Sequence, residues 1–383
     1  MIRKVFPVLA LSIFSSMLGV GIISPLLPLY AENLGATGIW LGVIFASFFV
    51  TRALFMPLIG KLSDRWGRKP FVSLGLLVYS VISLGYIWAG SVSQLTLVRL
   101  IQGTAAGMVI PISLAYIGDI SPRGEEGRWM GYFNAAFFTG FGLGPLMGGA
   151  LSDHFGMHTA FSVMGGLNFL AFLTTSLFLP ETERREEGSS SSFRGILQSD
   201  LFKGLFSFRL SYALGRGIFT VFLPIFASIY LGLSPTAIGL LIAINILLMS
   251  TLQVCSGRMA DRLNRKAMVI LGGFVSLAYL ALIPLAQDFW KLLGLCILGG
   301  LGGVISLPAA SALVVEEGRK FGMGASMGAF AMAFSIGMAA GPIISGGIVD
   351  LTSVQSAFYF AAAAGLLGTV LFAWLSRQQP PII

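Results

Sequence analysis

The sequence predicts an all-α integral membrane protein, with twelve spanning helices in two pseudo-symmetric six-helix bundles. Three observations lead there. The 383 residues are 56% hydrophobic and only 10% charged, against about 25% charged in an average soluble domain. Cut at charges and turn signals, the chain falls into twelve apolar stretches of about 20 residues or more, the length an α-helix needs to cross ~30 Å of hydrocarbon. A basic, glycine-led phrase also occurs twice, as GKLSDRWGRKP from Gly60 to Pro70 and as GRMADRLNRKA from Gly257 to Ala267, 197 residues later. The same offset pairs Gly42 with Gly239, Pro111 with Pro308, Gly131 with Gly328, Gly144 with Gly341, Pro145 with Pro342 and Asp153 with Asp350. A repeat of this length describes two copies of a whole bundle, not a solenoid unit.

The apolar stretches are 5–30, 39–60, 71–90, 94–118, 129–151, 159–180, 205–231, 237–256, 267–286, 290–313, 323–349 and 354–375. The first is too long for a removed signal peptide, lacks the small-residue cleavage site of one, and is read as helix 1. Residues 1–180 form the first bundle and 205–383 the second. Between them, residues 181–204 are polar and serine-rich, the composition of a flexible tether on one side of the membrane.

The net charge of +8 is explained by topology. With alternate loops assigned to opposite sides, every Lys and Arg except Lys291 and four arginines inside spans falls on one side. The positive-inside rule makes that side cytoplasmic, with both termini and the tether on it, in a plasma (inner) membrane. Nucleic-acid binding is excluded as a reading. Cys255 and Cys296 lie within spans 8 and 10, where a thiol serves as a small apolar filler.

Helix 1 carries Pro25 and Pro28, answered by Pro224 in helix 7. A proline deletes a backbone donor and bends a helix, so each is a shared bend or a hinge. After helix 2 comes a loop of about ten residues holding the first basic phrase. Gly60 permits close backbone approach, and Asp64 can sit at the positive N-terminal end of a neighbouring helix. Arg65, Arg68 and Lys69 can pair with carboxylates at adjacent helix ends, Asp119 in this half and its repeat equivalent Glu316 in the other. Topogenic charge alone would account for the Lys and Arg, but not for Gly60, Asp64 and their repetition.

The pattern G-x-L-x-D-R-x-G-R-K resembles the signature of the major facilitator superfamily between helices 2 and 3, and the second copy departs from it mainly at Met259 and Asn264. The resemblance implies the major facilitator fold and a secondary transporter. It also implies a conformational latch formed by Gly60, Asp64, Arg65, Gly67, Arg68, Lys69 and Asp119, with Asp261 and Arg262 in the second copy. VRLIQGTAAG in helix 4 is similar to a second signature, of the drug-exporting branch, in which an arginine at the place of Arg99 faces the cavity and is associated with proton coupling. GFGLGPLMGG in helix 5 is similar to a third, associated with exporters.

Gln102 lies one turn from Arg99 on the same helix face. In helix 5 Gly140, Gly144 and Gly148 recur every fourth residue beside Pro145, and helix 11 repeats this with Gly341 and Pro342; such a stripe lets helix backbones touch and bend. The GxGxG there is no dinucleotide loop, since no strand precedes it. His154 and His158 have a helical metal-ligand spacing, but Gly156 between them and the lack of further ligands argue against a metal. No metal and no cofactor is expected.

None of the sixteen acids falls in the central part of a span, whereas Arg52, Arg99, Arg209 and Arg216 do lie inside spans. An arginine at a helix centre costs about 3 kcal/mol on insertion scales and ordinarily faces a water-filled cavity or a partner. Arg209 is near enough to the boundary to snorkel. The expected substrate pathway comprises Arg52, Arg99 and Arg216 as cationic contacts, Gln102 and Asn245 as polar contacts, and Phe137, Phe138 and Phe219 as walls. Drug:proton antiporters of the family often carry an acid in helix 1, where this chain has Ser15 and Ser16. The proton carrier is then a boundary acid such as Glu32 or Asp119, or the ligand itself, or transport is not proton-driven.

The reading is a monomeric exporter of small organic molecules, anionic, amphipathic or drug-like, working by alternating access in exchange for protons. The alternative is a facilitator or exchanger of organic anions, or a lipid-headgroup flippase. An enzyme is disfavoured because no His, Asp or Glu cluster lies at membrane depth. A sensor is disfavoured because the chain has no soluble output domain.

Overall fold

The computed structural model describes residues 2–120, 126–181, 199–321 and 323–377. Among them are twelve α-helices: α1 (Ile2–Asn33), α2 (Gly38–Trp66), α3 (Lys69–Trp88), α4 (Val92–Ile120), α5 (Glu126–Phe155), α6 (Met157–Phe178), α7 (Asp200–Leu231), α8 (Pro235–Arg262), α9 (Arg265–Leu282), α10 (Phe289–Phe321), α11 (Met323–Leu351) and α12 (Val354–Ser376). Each contains an apolar stretch long enough to cross a membrane. Many large apolar side chains, Leu54, Leu177, Leu271 and Leu367 among them, are exposed along the helices, as expected where the surrounding solvent is lipid. Trp40, Trp66, Trp88, Trp290 and Trp374 are also exposed and lie within two residues of a helix end. That is the level at which indoles sit at a membrane interface.

Several helices outrun their apolar stretches. The basic phrase was expected in a loop of about ten residues, but α2 continues through Trp66 and α8 through Arg262. Lys and Arg are good helix formers, so charge alone does not end a helix. The first break comes at Gly67, whose φ of +96° suits only glycine without strain. The second comes at Asn264, whose side chain accepts the Ala267 amide at 3.1 Å and so caps α9.

The chain divides into two compact units, one made of Met1–Ala36, Ser47–Glu187 and Gly232–Leu247, the other of Thr37–Ala46, Gly188–Leu231 and Leu248–Ile383. In the first unit α1 packs on α4, α5 and α6, α3 packs on α4 and α6, and α5 packs on α4 and α6. In the second unit α7 packs on α10, α11 and α12, α9 packs on α10 and α12, and α11 packs on α10 and α12. Advancing every label by six turns one description into the other, so the duplication read in the sequence is a duplication of packing. The α1/α5 contact shows how close the helices come. A methyl group on Gly144 would lie 2.6 Å from the Leu18 carbonyl oxygen, and one on Gly341 would lie 2.5 Å from the Leu214 carbonyl oxygen.

Each unit includes one short segment from the other half of the sequence, Thr37–Ala46 in the second and Gly232–Leu247 in the first. The first turns of α2 belong with the second unit, and those of α8 with the first. Both segments are held in the same way. In the second unit the Asp350 carboxylate accepts the Gly38 and Ile39 amides at 2.5 and 2.9 Å. In the first unit Asp153 accepts the Thr236 amide at 2.8 Å. Each acid, from the end of one helix, caps the positive end of another.

Candidate functional site

In the first unit four helices converge on a polar cluster inside an otherwise apolar bundle. Tyr79 and Tyr86 stand seven residues apart, on one face of α3, and both are fully buried. From α4, Arg99 donates to Gln102 Oε1 at 2.8 Å, and the Tyr86 hydroxyl donates to the same oxygen at 2.6 Å. The Arg99 guanidinium carbon lies 4.5 Å from the centre of the Phe48 ring of α2, a cation–π contact. Arg52 of α2 has Tyr79 as its electrostatic neighbour. Tyr79 in turn has Arg52, Arg99 and Tyr86 around it, with the Ser16 hydroxyl of α1 facing it. The structure therefore brings Arg52, Arg99 and Gln102 together, along with three residues the sequence reading did not single out as contacts: Ser16, Tyr79 and Tyr86.

Arg216 stands in the second unit, on α7. Its guanidinium carbon lies 5.2 Å from the Phe219 ring, and the fully buried Phe219 meets Tyr279 of α9 edge-on at 5.9 Å. A pocket with about 380 Å³ of empty space, mouth included, opens among α7, α9 and α12, lined in part by Ser211, Tyr212, Arg216, Ser276, Tyr279 and Thr369. Less than one turn before Tyr212, Arg209 lies over two rings of α11, 4.9 Å from Phe330 and 4.6 Å from Phe334. Each mid-helix arginine thus rests against aromatic groups of its own unit. Asn245 is buried in the first unit. Phe137 and Phe138 are half-buried on α5, with ring centres 5.1 Å apart and edge to face.

The two basic phrases hold helix ends differently. In the first, Arg68 is buried and donates to Ser63 Oγ at 2.8 Å, and that hydroxyl donates to the Gly60 carbonyl at 2.8 Å. The Glu181 carboxylate lies against Gly67 and within 3.4 Å of the Lys69 amide, at the positive start of α3. In the second phrase Arg265 donates to the Ala260 carbonyl at 2.9 Å and forms an ion pair with Glu316, while Lys266 donates to the Ser376 carbonyl at 2.7 Å. The sequence reading paired the basic phrase with Asp119 or its equivalent Glu316, and the second of these contacts is present. Arg262 is exposed. The side chains of Asp64, Asp119 and Asp261 lie outside the described residues.

One buried carboxylate escaped the sequence reading. Glu317 is fully buried near the end of α10 and accepts a hydrogen bond from Ser199, whose oxygen also caps the Phe202 amide at the start of α7. Otherwise the described carboxylates stand within two turns of a helix end. His154 closes α5 while His158 lies on α6, so the four-residue spacing does not fall on one helix face. Among the described residues no three His, Cys, Asp or Glu come together to hold a metal ion.

Comparison with known proteins agrees with this architecture. The sequence pattern of the Major Facilitator Superfamily matches residues 9–210 and again 205–382. An uncharacterized MFS-type transporter of Methanocaldococcus jannaschii is 30% identical over 94% of this chain and 95% of its own. Multidrug resistance protein 2 of Bacillus subtilis is 27% identical over 98% of this chain and 96% of its own. A bacterial homologue of the human lysosomal transporter Spinster, solved in an inward-facing and occupied conformation, superposes with a TM-score of 0.84 at 14% identity, over 98% of this chain and 97% of that one.

Proposed function

The chain belongs to the Major Facilitator Superfamily and is a membrane transporter, not an enzyme; from that premise we propose that it exports small organic molecules, anionic or amphipathic, by alternating access in exchange for protons. Two like bundles supply the means, since such carriers expose a midplane site to each side in turn by rocking one repeat against the other. The reading has both termini cytoplasmic and the chain working as a monomer. Arg52, Arg99, Gln102, Arg216 and Asn245 contact substrate, with Phe137, Phe138 and Phe219 as apolar surfaces. The phrases around Gly60 and Gly257 act as latches, and Gly140, Gly144, Pro145, Gly148, Gly341 and Pro342 set helix contact and bending.

The observation that carries the reading is the sign of the interior. The charges deep in the described helices are guanidinium groups, and the carboxylates keep to the helix ends. Export is supported by the helix 5 pattern and by the multidrug resistance relative. The test is flux in proteoliposomes of matched anionic and cationic dyes, with and without an imposed pH gradient. Anion movement that rises with an opposing proton gradient supports the proposal. Selective cation movement would reject it.

A second reading has its own support. Ser15 and Ser16 occupy the stretch of α1 where a proton-carrying acid would be expected from the resemblance. A facilitator or exchanger of organic anions, or a lipid-headgroup flippase, needs no such acid, and anion flux indifferent to the pH gradient would select it.

A further inference from the structure

The second unit has a pocket where the first has packed side chains. Gly273 and Ser276 of α9 and Thr369 of α12 line it, and at the 197-residue offset they correspond to Leu76, Tyr79 and Phe172. Leu76 and Tyr79 are fully buried in the first unit, and Phe172 packs against their cluster. Where one unit has three large side chains, the other has a glycine and two small hydroxyl-bearing residues. A methyl group on Gly273 would lie 2.6 Å from Thr369 Oγ1, so the glycine is what leaves that hydroxyl room. The mouth takes up most of the pocket's space, and the enclosed part admits a group of only a few heavy atoms.

The polar lining says what kind of group that is. Ser211 donates to the Phe208 carbonyl at 3.0 Å, and Thr369 to the Gly365 carbonyl at 2.8 Å. A hydroxyl has one proton and two lone pairs, so these two face the pocket as acceptors. Ser276 is more than nine-tenths buried and its hydroxyl has no hydrogen-bond partner; it can donate or accept. A hydrocarbon group would leave that hydroxyl unpaired, which is destabilising in a buried place. A cation would meet Arg216, which also lines the pocket. A carboxylate only accepts and would face the lone pairs of Ser211 and Thr369, while the guanidinium that would favour it is engaged with the Phe219 ring at 5.2 Å. The group that suits all three hydroxyls is uncharged and carries a donor beside an acceptor. Arg216 lies halfway along α7 and Gly365 halfway along α12, a depth of about 15 Å from either edge of the hydrocarbon layer, which is too deep for a lipid headgroup.

We propose that the pocket among α7, α9 and α12 binds the uncharged hydrogen-bonding end of a small solute, a carboxamide or an alcohol, through Ser211, Ser276 and Thr369. The apolar body of the solute lies in the mouth, against Phe208 and Leu277. That the solute is cargo rests on the transport reading above; the preference of the pocket does not.

The test is ligand-dependent thermal stability of the purified full-length protein, because a ligand that binds the folded state raises its apparent melting temperature. Benzamide is titrated in one arm and sodium benzoate in the other, at constant ionic strength; the two have the same size and shape and differ in charge and in the amide donor. The pocket predicts saturable stabilisation by benzamide, with an affinity at least about fivefold above that of benzoate, since the carboxylate loses a hydrogen bond. Affinity for benzamide falls several-fold in Ser276→Ala and in the near-isosteric Thr369→Val. It is lost in Gly273→Leu, which places the first unit's residue in the pocket. Ser162→Ala, which removes an exposed hydroxyl of the first unit, leaves it unchanged. Absence of stabilisation by benzamide makes the pocket a hydrated cavity only, and benzoate binding as tightly as benzamide makes it an anion site; either result overturns the proposal. So does benzamide binding that survives both Ser276→Ala and Thr369→Val, and these two variants decide the matter should Gly273→Leu not fold. Binding is read in detergent and without flux, so a protein that binds benzamide but exports nothing would reject the transport proposal and leave the pocket standing.

Discussion

Position by position, Gly144 and Pro145 of the first unit correspond to Gly341 and Pro342 of the second, whereas Arg52, Tyr79, Arg99 and Gln102 correspond to Met249, Ser276, Cys296 and Gly299. The first set holds helices against each other, and the second set holds polar chemistry inside the bundle. Arg216 makes the same point from the other side, since its first-unit counterpart is Gly19, packed against Met164 and Asn168. Duplication has preserved the residues that let backbones touch and let the buried polar groups diverge. The packing frame is therefore common to the units, and the buried polar groups are divided unequally between them.

That contrast can be broken most severely at the shared frame. Gly144→Val and Gly341→Val each force a side chain into the backbone of the facing helix, where overpacking costs up to about 3 kcal/mol. Both should lower the unfolding midpoint in detergent by similar amounts, and a large effect in one unit alone would show the frames to be unlike. At the polar groups the units should separate. Arg99→Gln is expected to reduce transport about tenfold, roughly 1.4 kcal/mol at the transition state, while the protein still inserts and folds. Arg216→Gln should reduce it less, about two- to threefold by the same conversion. Initial rates in proteoliposomes measure both, and equal losses would erase the asymmetry.

Smaller effects sharpen the comparison at the helix ends. Asp350 receives two amides and Asp153 one. Loss of a capping side chain typically costs about 1 kcal/mol, so Asp350→Ala should destabilise more than Asp153→Ala in paired unfolding curves. The Arg265–Glu316 pair is about 28–29% exposed, and solvent and salt weaken such pairs. Glu316→Gln should therefore cost under about 1 kcal/mol, with the difference from wild type shrinking further at high salt.

The membrane architecture was legible because composition, span length and the repeated phrase all reported on the same periodic feature of the chain. The arginine positions were legible too, since each interrupts an apolar run. Their surroundings were not. Tyr79 and Tyr86 share a face of α3, but tyrosines in a membrane helix do not announce which neighbours they meet, and the meeting with Arg52, Arg99 and Ser16 depends on three other helices. The exchange of Thr37–Ala46 and Gly232–Leu247 between units was hidden for a similar reason: Asp153 and Asp350 read as boundary charges until the amides they cap are seen. The helical continuation through Trp66 is not legible from polarity, because charged residues sustain a helix and the backbone turns only where Gly67 allows a positive φ.

The most direct test of the account is charge selectivity, measured as the ratio of transport of an anionic dye to that of a cationic analogue of the same size, in vesicles containing wild type or the Arg52→Gln/Arg99→Gln double variant. The account predicts a ratio well above unity for wild type that falls toward unity in the double variant. A wild-type preference for the cation, or an anion preference that persists without both guanidinium groups, would contradict it.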